Sequence, residues 1–219
     1  MTNFQIVIKQ KQKGSALIIG LTILVIMLII GTAGMRTTIM EEKMAGNARD
    51  LNNAFQAAEG GLVDGEYDLL NFDIVNSKKP IRSIDYSKSD FTVNCGLTQT
   101  TRDFDGLCLP ELDPTEPPQW LVIDWTRAGT PGTNPLPYRE YGQRTKINDT
   151  SPPDLLNVSR QPRYILEYLG KEMLGSLEIG QAKQVKITFY RVTTQGYGIA
   201  MTDDSQPIAR VMLQSIYGK

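Results

Sequence analysis

GSALIIGLTILVIMLIIGTAGMR, residues 14–36, is the longest apolar segment of this chain and the one from which its architecture follows. It contains an uncharged run from Ser15 to Met35 that ends at Arg36. As a helix rising about 1.5 Å per residue, this run spans roughly 30 Å, the thickness of the hydrocarbon layer of a membrane. The leader before it carries three lysines, Lys9, Lys11 and Lys13. Because this flank is the more basic one, we expect the N-terminus to stay in the cytoplasm and the rest of the chain to be exported.

Three topologies fit such a segment. A secretory signal would use residues 17–30 as its apolar region and Gly31-Thr32-Ala33 as its cleavage site, so that the chain is cut after Ala33. The apolar run is longer than the roughly 7–15 residues of a typical signal, which weighs against this hypothesis. An uncleaved membrane anchor is the second hypothesis. The third is cleavage after Gly14 on the cytoplasmic side, which leaves Ser15 as the first residue of a helix that the mature protein keeps.

The sequence after Arg36 continues the helix. Apolar residues recur at positions 40, 44, 48, 51, 55, 58, 62 and 69, mostly three or four apart, which is typical of an amphipathic helix. Charged residues lie off this stripe and are assigned to the solvent side, namely Glu42, Lys43, Arg49 and Asp50. We therefore predict one helix of more than 50 residues, with a membrane segment at 15–36 and an amphipathic segment at 37–75. Gly46 and Gly60-Gly61 are its weak points.

Composition excludes several classes of protein. The chain has 219 residues and a net charge of -1, and it contains no histidine, which excludes Ser-His-Asp and Cys-His catalysis and histidine-ligated metals. Beyond residue 14 there are 20 basic and 24 acidic residues, a balance that argues against direct binding of nucleic acid. No carboxylate pair stands out as an acid–base dyad. We predict a protein that is not an enzyme and that needs no cofactor and no metal.

The two cysteines, Cys95 and Cys108, are predicted to form a local disulfide, because an exported domain lies in an oxidising compartment. The segment Asp103-Phe104-Asp105-Gly106 between them has a weak likeness to a calcium loop, but it lacks a third oxygen ligand and a closing glutamate. We interpret it as a turn inside the disulfide loop.

Residues 76–219 are predicted to form a loop-rich globular head. Five runs are typical of strands, at 91–95, 120–125 (WLVIDW), 164–169, 185–194 and 209–217. Alternation places Val185, Ile187 and Phe189 on the buried face of one strand, and Val211 and Leu213 on that of another. The partner expected for this face is the helix stripe made of Leu51, Phe55, Ala58, Leu62 and Leu69. The predicted fold class is α+β, with a long N-terminal helix packed on a C-terminal antiparallel sheet.

Several segments resemble the PilX-type minor pilins of type IV pili. At the start these are Gly14-Ser15-Ala16-Leu17, Met35-Arg36-Thr37-Thr38, 41–47 (EEKMAGN), Arg49-Asp50 and 54–59 (AFQAAE). At the end they are 190–196 (YRVTTQG) and 209–215 (ARVMLQS), which resemble the last two strands of that family. The run from Glu41 to Glu59 is the most specific of them. The resemblance implies a pilin-like fold and leaves the middle of the chain unassigned.

The resemblance also implies how the protein matures and is assembled. A prepilin peptidase would cleave after Gly14 and N-methylate Ser15. The helix would serve first as a single membrane span in the bacterial inner membrane, with the head in the periplasm, and then in the pilus at the cell surface. The residues implied for this surface are Ala16, Leu17, Ile18, Ile19, Leu21, Ile23 and Leu24. The implied partners are other minor pilins, the major pilin and a large tip adhesin, and the processes served are attachment, twitching motility and DNA uptake.

One residue departs from the family's usual pattern. Ordinary pilins have a glutamate at the fifth position after the cut, where this chain has Ile19. In major pilins that glutamate is thought to pair with an N-terminal ammonium, and burying an unpaired ammonium is costly. We therefore predict a place at the pilus tip. The alternatives are an apical pseudopilin of a type II secretion system and a secreted binding protein or enzyme cut after Ala33.

Overall fold

The computed structural model describes residues 15–70, 86–97, 102–127, 135–145, 154–174 and 185–219. The chain forms two units, Met1–Asn47 and Ala48–Lys219. The predicted leader, residues 1–14, and the predicted end of the amphipathic helix, residues 71–75, lie outside the described residues.

A single helix, α1, begins at Ser15 and ends at Leu70, 56 residues in all. This confirms the prediction of one long helix, which continues through Gly46, Gly60 and Gly61 because no proline interrupts its hydrogen bonds. One window of 18 residues within it has a mean hydropathy of 2.8, enough by length and composition to cross a membrane. In the described part of the chain no other helix meets this criterion.

The head contains a five-stranded sheet. Its strands are β1 (Leu107–Cys108), β2 (Arg139–Glu140), β3 (Arg163–Leu174), β4 (Val185–Tyr197) and β5 (Arg210–Gly218). The order is β1-β3-β4-β5, and β2 also pairs with β3. The pairs β3–β4 and β4–β5 are antiparallel, as predicted. Two short pairs were not predicted: β2 runs antiparallel to β3, and β1 runs parallel to it. The α+β class is therefore confirmed.

Two of the predicted strands are wrong. The run WLVIDW is not a strand: its first residues belong to a short helix, α2 (Gln119–Val122), which Pro118 precedes. Proline just before a helical turn favours that turn, because its φ angle is already fixed. Trp125 is nevertheless buried in the core, and its indole N–H donates to the carbonyl of Trp120 at 3.0 Å. The run 91–95 forms only an isolated bridge between Thr92 and Cys108.

The buried face of β4 is the opposite of the predicted one. Tyr190 and Val192 lie in the core with Leu69 of α1, and Ile187 and Phe189 are only partly buried. On β5 the prediction holds, since Val211 and Leu213 are less exposed than Arg210 and Gln214. The alternation along β4 was correct in period, but alternation alone does not say which face meets the helix.

The face of α1 that packs on the head also differs from the predicted stripe. Leu51 is 53% exposed and Phe55 is 41% exposed, although Ala58 and Leu69 are buried as predicted. Apart from Leu69, the buried face is instead formed by small and acidic residues, Asp50, Ala54, Ala57, Ala58, Gly61, Asp64, Gly65 and Asp68.

Close approach of the strand backbone explains the choice of small residues. A Cβ on Gly196 of β4 would lie 2.2 Å from the carbonyl oxygen of Ala54 and 2.3 Å from the amide nitrogen of Ala58. Since the strand contacts the helix backbone directly at Ala54 and Ala58, larger side chains have no room at that point of the face. Asp50, predicted to face solvent, is buried there.

We expect the neighbouring glycines of α1 to respond to alanine in opposite directions. At Gly61 a Cβ would lie 2.3 Å from Oγ1 of Thr194 and 3.0 Å from Cβ of Pro162, whereas at Gly60 the nearest atom is 3.4 Å away. Gly61→Ala should lower the free energy of unfolding by about 1–3 kcal/mol through overpacking. Gly60→Ala should raise it by up to about 1 kcal/mol through helix propensity. Chemical unfolding of both full-length variants in detergent micelles tests this, and equal effects would contradict the packing.

Candidate functional site

The N-terminal part of α1 carries the residues assigned to membrane and filament. Ser15 is the first residue of the helix, and Gly14 lies outside the described residues. The apolar side chains at 17–24 are between 49% and 75% exposed. This surface comprises Ala16, Leu17, Ile18, Ile19, Leu21, Ile23 and Leu24. It is an uncovered apolar helix surface within the unit Met1–Asn47.

The polar side chains of this segment are satisfied inside the helix. The hydroxyls of Thr22 and Thr32 donate to carbonyls three residues earlier, at 2.8 and 3.0 Å. Those of Thr37 and Thr38 donate to carbonyls four residues earlier, at 3.2 Å. Because a hydroxyl that donates to its own helix needs no other hydrogen-bond partner, the segment is suited to lipid or to contact with other apolar helices.

A disulfide joins Cys95 and Cys108, as the sequence predicts. Inside the loop that it closes, the turn at 103–106 ends at Gly106, whose φ angle of +66° favours glycine. The amide of Gly106 donates to the carbonyl of Cys95 at 3.0 Å, and the carbonyl of Gly106 accepts the amide of Leu166 on β3 at 2.8 Å. The loop is thereby attached to the centre of the sheet.

Arg139 of β2 connects this loop to α1. It is fully buried and pairs with the carboxylate of Asp68 on the helix. Its Nη1 also donates to the hydroxyl of Tyr86 at 3.0 Å. On the other side, its Nε donates to the carbonyl of Asp105 at 2.6 Å and its Nη2 to the carbonyl of Asp103 at 2.9 Å. One side chain thus joins the helix to the disulfide loop.

Two tyrosines complete the shell around Asp68. The hydroxyl of Tyr86 donates to Oδ1 of Asp68 at 2.9 Å, and that of Tyr164 on β3 donates to Oδ2 at 3.0 Å. Burial raises the pKa of both phenols, so they stay protonated and continue to donate. The buried carboxylate therefore has an arginine and two hydroxyls as partners, as a charge in the interior requires.

A second acid, Asp64, lies one turn earlier on α1. Its carboxylate accepts hydrogen bonds from the hydroxyl of Thr145 and from the amide of Gly142, the latter at 2.8 Å. Burial raises the pKa of Asp64 to about 7, against the lowering effect of these two bonds. The nearby charge of Asp68 raises it further, while that of Arg139 lowers it.

A third acid, Asp50, holds the connection between β4 and β5. Its Oδ1 accepts the amide of Ile199 at 2.6 Å and that of Ala200 at 3.0 Å. Asp50, Asp64 and Asp68 thus attach the helix to three parts of the head, and each accepts hydrogen bonds that the folded head presents.

Among the described residues, no group of three or more histidine, cysteine, aspartate or glutamate side chains is placed to hold a metal ion. Two open clefts of about 470 and 220 Å³ border the bulge between Tyr168 and Gly170 of β3. The larger cleft has a mixed lining that includes Lys171 and Glu172, and the smaller one is largely apolar and includes Lys88. What the geometry shows is a head attached to α1 through the buried side chains of Asp50, Asp64 and Asp68.

Comparison with known protein families accounts for both parts of the chain. Residues 13–63 match the family model described as PilX N-terminal. Residues 89–219 match the model described as type IV pilus assembly protein PilX C-term. The chain belongs to the PilX family. No curated protein and no solved structure matches it significantly.

Membership of the PilX family identifies the chain as a type IV pilus minor pilin, a structural class of protein that associates with other pilus components and with the membrane. The C-terminal match also covers the middle of the chain, which the sequence left unassigned. The apolar helix fits membrane anchoring.

Sequence reasoning missed the acids that attach the PilX helix to its head, together with Arg139. The signal that could have found them is the series Gly61, Asp64, Gly65 and Asp68, whose spacing of three and four places two glycines and two acids on one face. Glycines on a helix face indicate close approach of another backbone, and acids on that same face must then be buried with partners.

We expect Asp64 to make the stability of this PilX protein depend on pH. Its pKa rises from 3.8 to about 7 on folding, so the folded state binds the proton more tightly than the unfolded state. Protonation of Asp64 therefore contributes fully to the free energy of unfolding below about pH 4. This contribution is lost as the pH rises through 7, at no more than about 1.4 kcal/mol per pH unit. Asp64→Asn should flatten this decline in thermal unfolding measured from pH 4 to 8. An unchanged slope would contradict the assignment.

Proposed function

We propose that this chain is a minor pilin that helps to initiate assembly of a type IV pilus and lies at or near its tip. The observation that carries the proposal is α1, since one helix has an uncovered apolar surface at its start and a face attached to the head at its end. Attachment, twitching motility or DNA uptake would be the process that the pilus serves.

The proposed route begins in the inner membrane. Residues 15–36 span the bilayer once, with the leader in the cytoplasm and the head in the periplasm, and a prepilin peptidase cuts after Gly14 and methylates Ser15. On assembly the same apolar surface leaves the lipid and packs against the helices of other minor pilins and of the major pilin. Both surroundings are apolar, so packing and specific partners direct this step more than the hydrophobic effect does.

A place at the tip is supported by Ile19. Its side chain is apolar and 54% exposed, so it offers no carboxylate to the N-terminal ammonium of another subunit. Burying that ammonium without a partner is costly. A subunit of this kind suits a position where no further ammonium has to be neutralised, which is the apex, where a large tip adhesin is the proposed neighbour.

Localisation along sheared pili tests the tip assignment. Immunogold labelling of the wild-type protein should mark one end of each filament. The Ile19→Glu variant should be incorporated into pili as efficiently as the wild type, or it should be found deeper in the shaft, because the added carboxylate can pair with an ammonium. Even labelling of wild-type pili at high copy would refute the tip position and leave family membership untouched.

A further inference from the structure

The disulfide loop and α1 share one side chain, Arg139. Of the four hydrogen bonds that its guanidinium donates, two go to carbonyl oxygens inside the loop. The other two go to the carboxylate of Asp68 on α1 and to the hydroxyl of Tyr86, which itself donates to Asp68. The loop carbonyls and the Asp68–Tyr86 pair depend on each other, since a fully buried guanidinium requires all of its hydrogen-bond partners.

The described parts of the loop, residues 95–97 and 102–108, lie in close contact with each other. The carbonyl of Phe104 lies so close to Gly96 that a Cβ there would approach it to 2.1 Å. Gly96 also donates its amide to Oγ1 of Thr92 at 2.8 Å, and the disulfide closes the loop immediately beside it. The cross-link restricts the alternative conformations that would turn the carbonyls of Asp103 and Asp105 away from Arg139.

We propose that formation of the Cys95–Cys108 disulfide controls how tightly residues 61–68 of α1 dock on the head, acting through Arg139. With the disulfide closed, the loop holds the guanidinium where it neutralises Asp68. With two free thiols the loop relaxes, Arg139 loses two carbonyl acceptors, and the pair that secures the helix weakens. This redox control is separate from the proposed role as a pilus subunit, because it links the oxidation state of Cys95 and Cys108 to the attachment of the helix.

The redox step is a thiol–disulfide exchange. The thiolate of one cysteine attacks an external disulfide and releases one thiol, and the second cysteine then attacks the mixed disulfide and releases the other. The Cys95–Cys108 bond forms, two protons and two electrons leave the pair, and the external disulfide is reduced to two thiols. A protein or small-molecule disulfide is the oxidant required.

Hydrogen–deuterium exchange of the full chain in detergent micelles tests the proposal. Reduction of the wild type by dithiothreitol should speed exchange at the amides of 61–68 about tenfold more than at the β4–β5 ladder, in the range expected for interacting groups. The matched variant is Arg139→Met with Asp68→Asn, which removes the connection without leaving a buried charge. In this variant reduction should accelerate 61–68 no more than the ladder.

Three outcomes would overturn the proposal. They are equal acceleration throughout the wild type, loss of all protection on reduction, and an undiminished excess at 61–68 in the variant. The first two would mean that the disulfide supports the whole head, and the third that its effect bypasses Arg139. If the variant does not fold, the wild-type comparison with Cys95→Ala/Cys108→Ala still decides, because an excess at 61–68 supports the proposal and its absence refutes it.

Discussion

Arg139→Met is expected to lower the free energy of unfolding by about 3–5 kcal/mol, the usual cost of breaking a buried ion pair by removing one partner. Methionine fills much of the space but leaves the carboxylate of Asp68 buried among two tyrosine hydroxyls with no cation. The carbonyls of Asp103 and Asp105 lose a donor at the same time. Chemical unfolding of the full chain in detergent micelles measures the effect.

Two controls separate the buried charge from loss of packing. Asp103→Asn removes a carboxylate that pairs with Arg144 and is about half exposed, and it should cost no more than about 1 kcal/mol. Adding Asp68→Asn to Arg139→Met should make the protein more stable than the single variant, because no charge is then left unpaired. If the double variant were less stable than Arg139→Met alone, Asp68 would not be the unpaired buried charge that destabilises the single variant.

Gly14→Val is expected to block maturation almost completely. We infer that the peptidase must approach the backbone at the cut closely, where a Cβ would clash. The uncut chain should stay in the membrane with Met1 at its N-terminus and should be absent from sheared pili. The measurement is the intact mass and N-terminal sequence of protein recovered from membranes and from pili. Normal incorporation of an uncut chain would contradict the proposed cleavage.

The matched control is Gly20→Ala, a glycine six residues further on. A Cβ at Gly20 meets nothing within 4 Å, so processing should be unaffected. The same sequencing also tells the three topologies of the wild type apart. Methylated Ser15 supports the proposed route, Gly34 would indicate a secreted protein, and Met1 an uncleaved anchor.

The length of α1 could be predicted from the sequence because its causes are local. An uninterrupted apolar run, a continuing period of three and four, and the absence of proline are enough to extend one helix from Ser15 to Leu70. Strands β3, β4 and β5 were found for a similar reason, since each has a run of β-branched and aromatic residues. Pairing with neighbouring strands extends β3 and β4 beyond the predicted runs, whereas β5 is shifted by one residue.

The two-residue strands and the short helix at Gln119–Val122 were beyond such reasoning. β1 and β2 are strands only because β3 lies beside them, and two residues carry no period. The run WLVIDW has the composition of a strand, yet Pro118 and the contact between Trp125 and Trp120 favour a turn. Tertiary contacts overrode propensity in both cases.

One long helix with an apolar start, a C-terminal sheet and a disulfide-bonded loop between them follow from the sequence alone. Which face of the helix is buried follows only from the folded head. The reason is that the deciding contacts come from far along the chain: Arg139 meets Asp68 across 71 residues, and Gly142 meets Asp64 across 78. Hydrophobic periodicity indicated Leu51 and Phe55, but the buried face consists, apart from Leu69, of glycine, alanine and acids whose partners the head supplies.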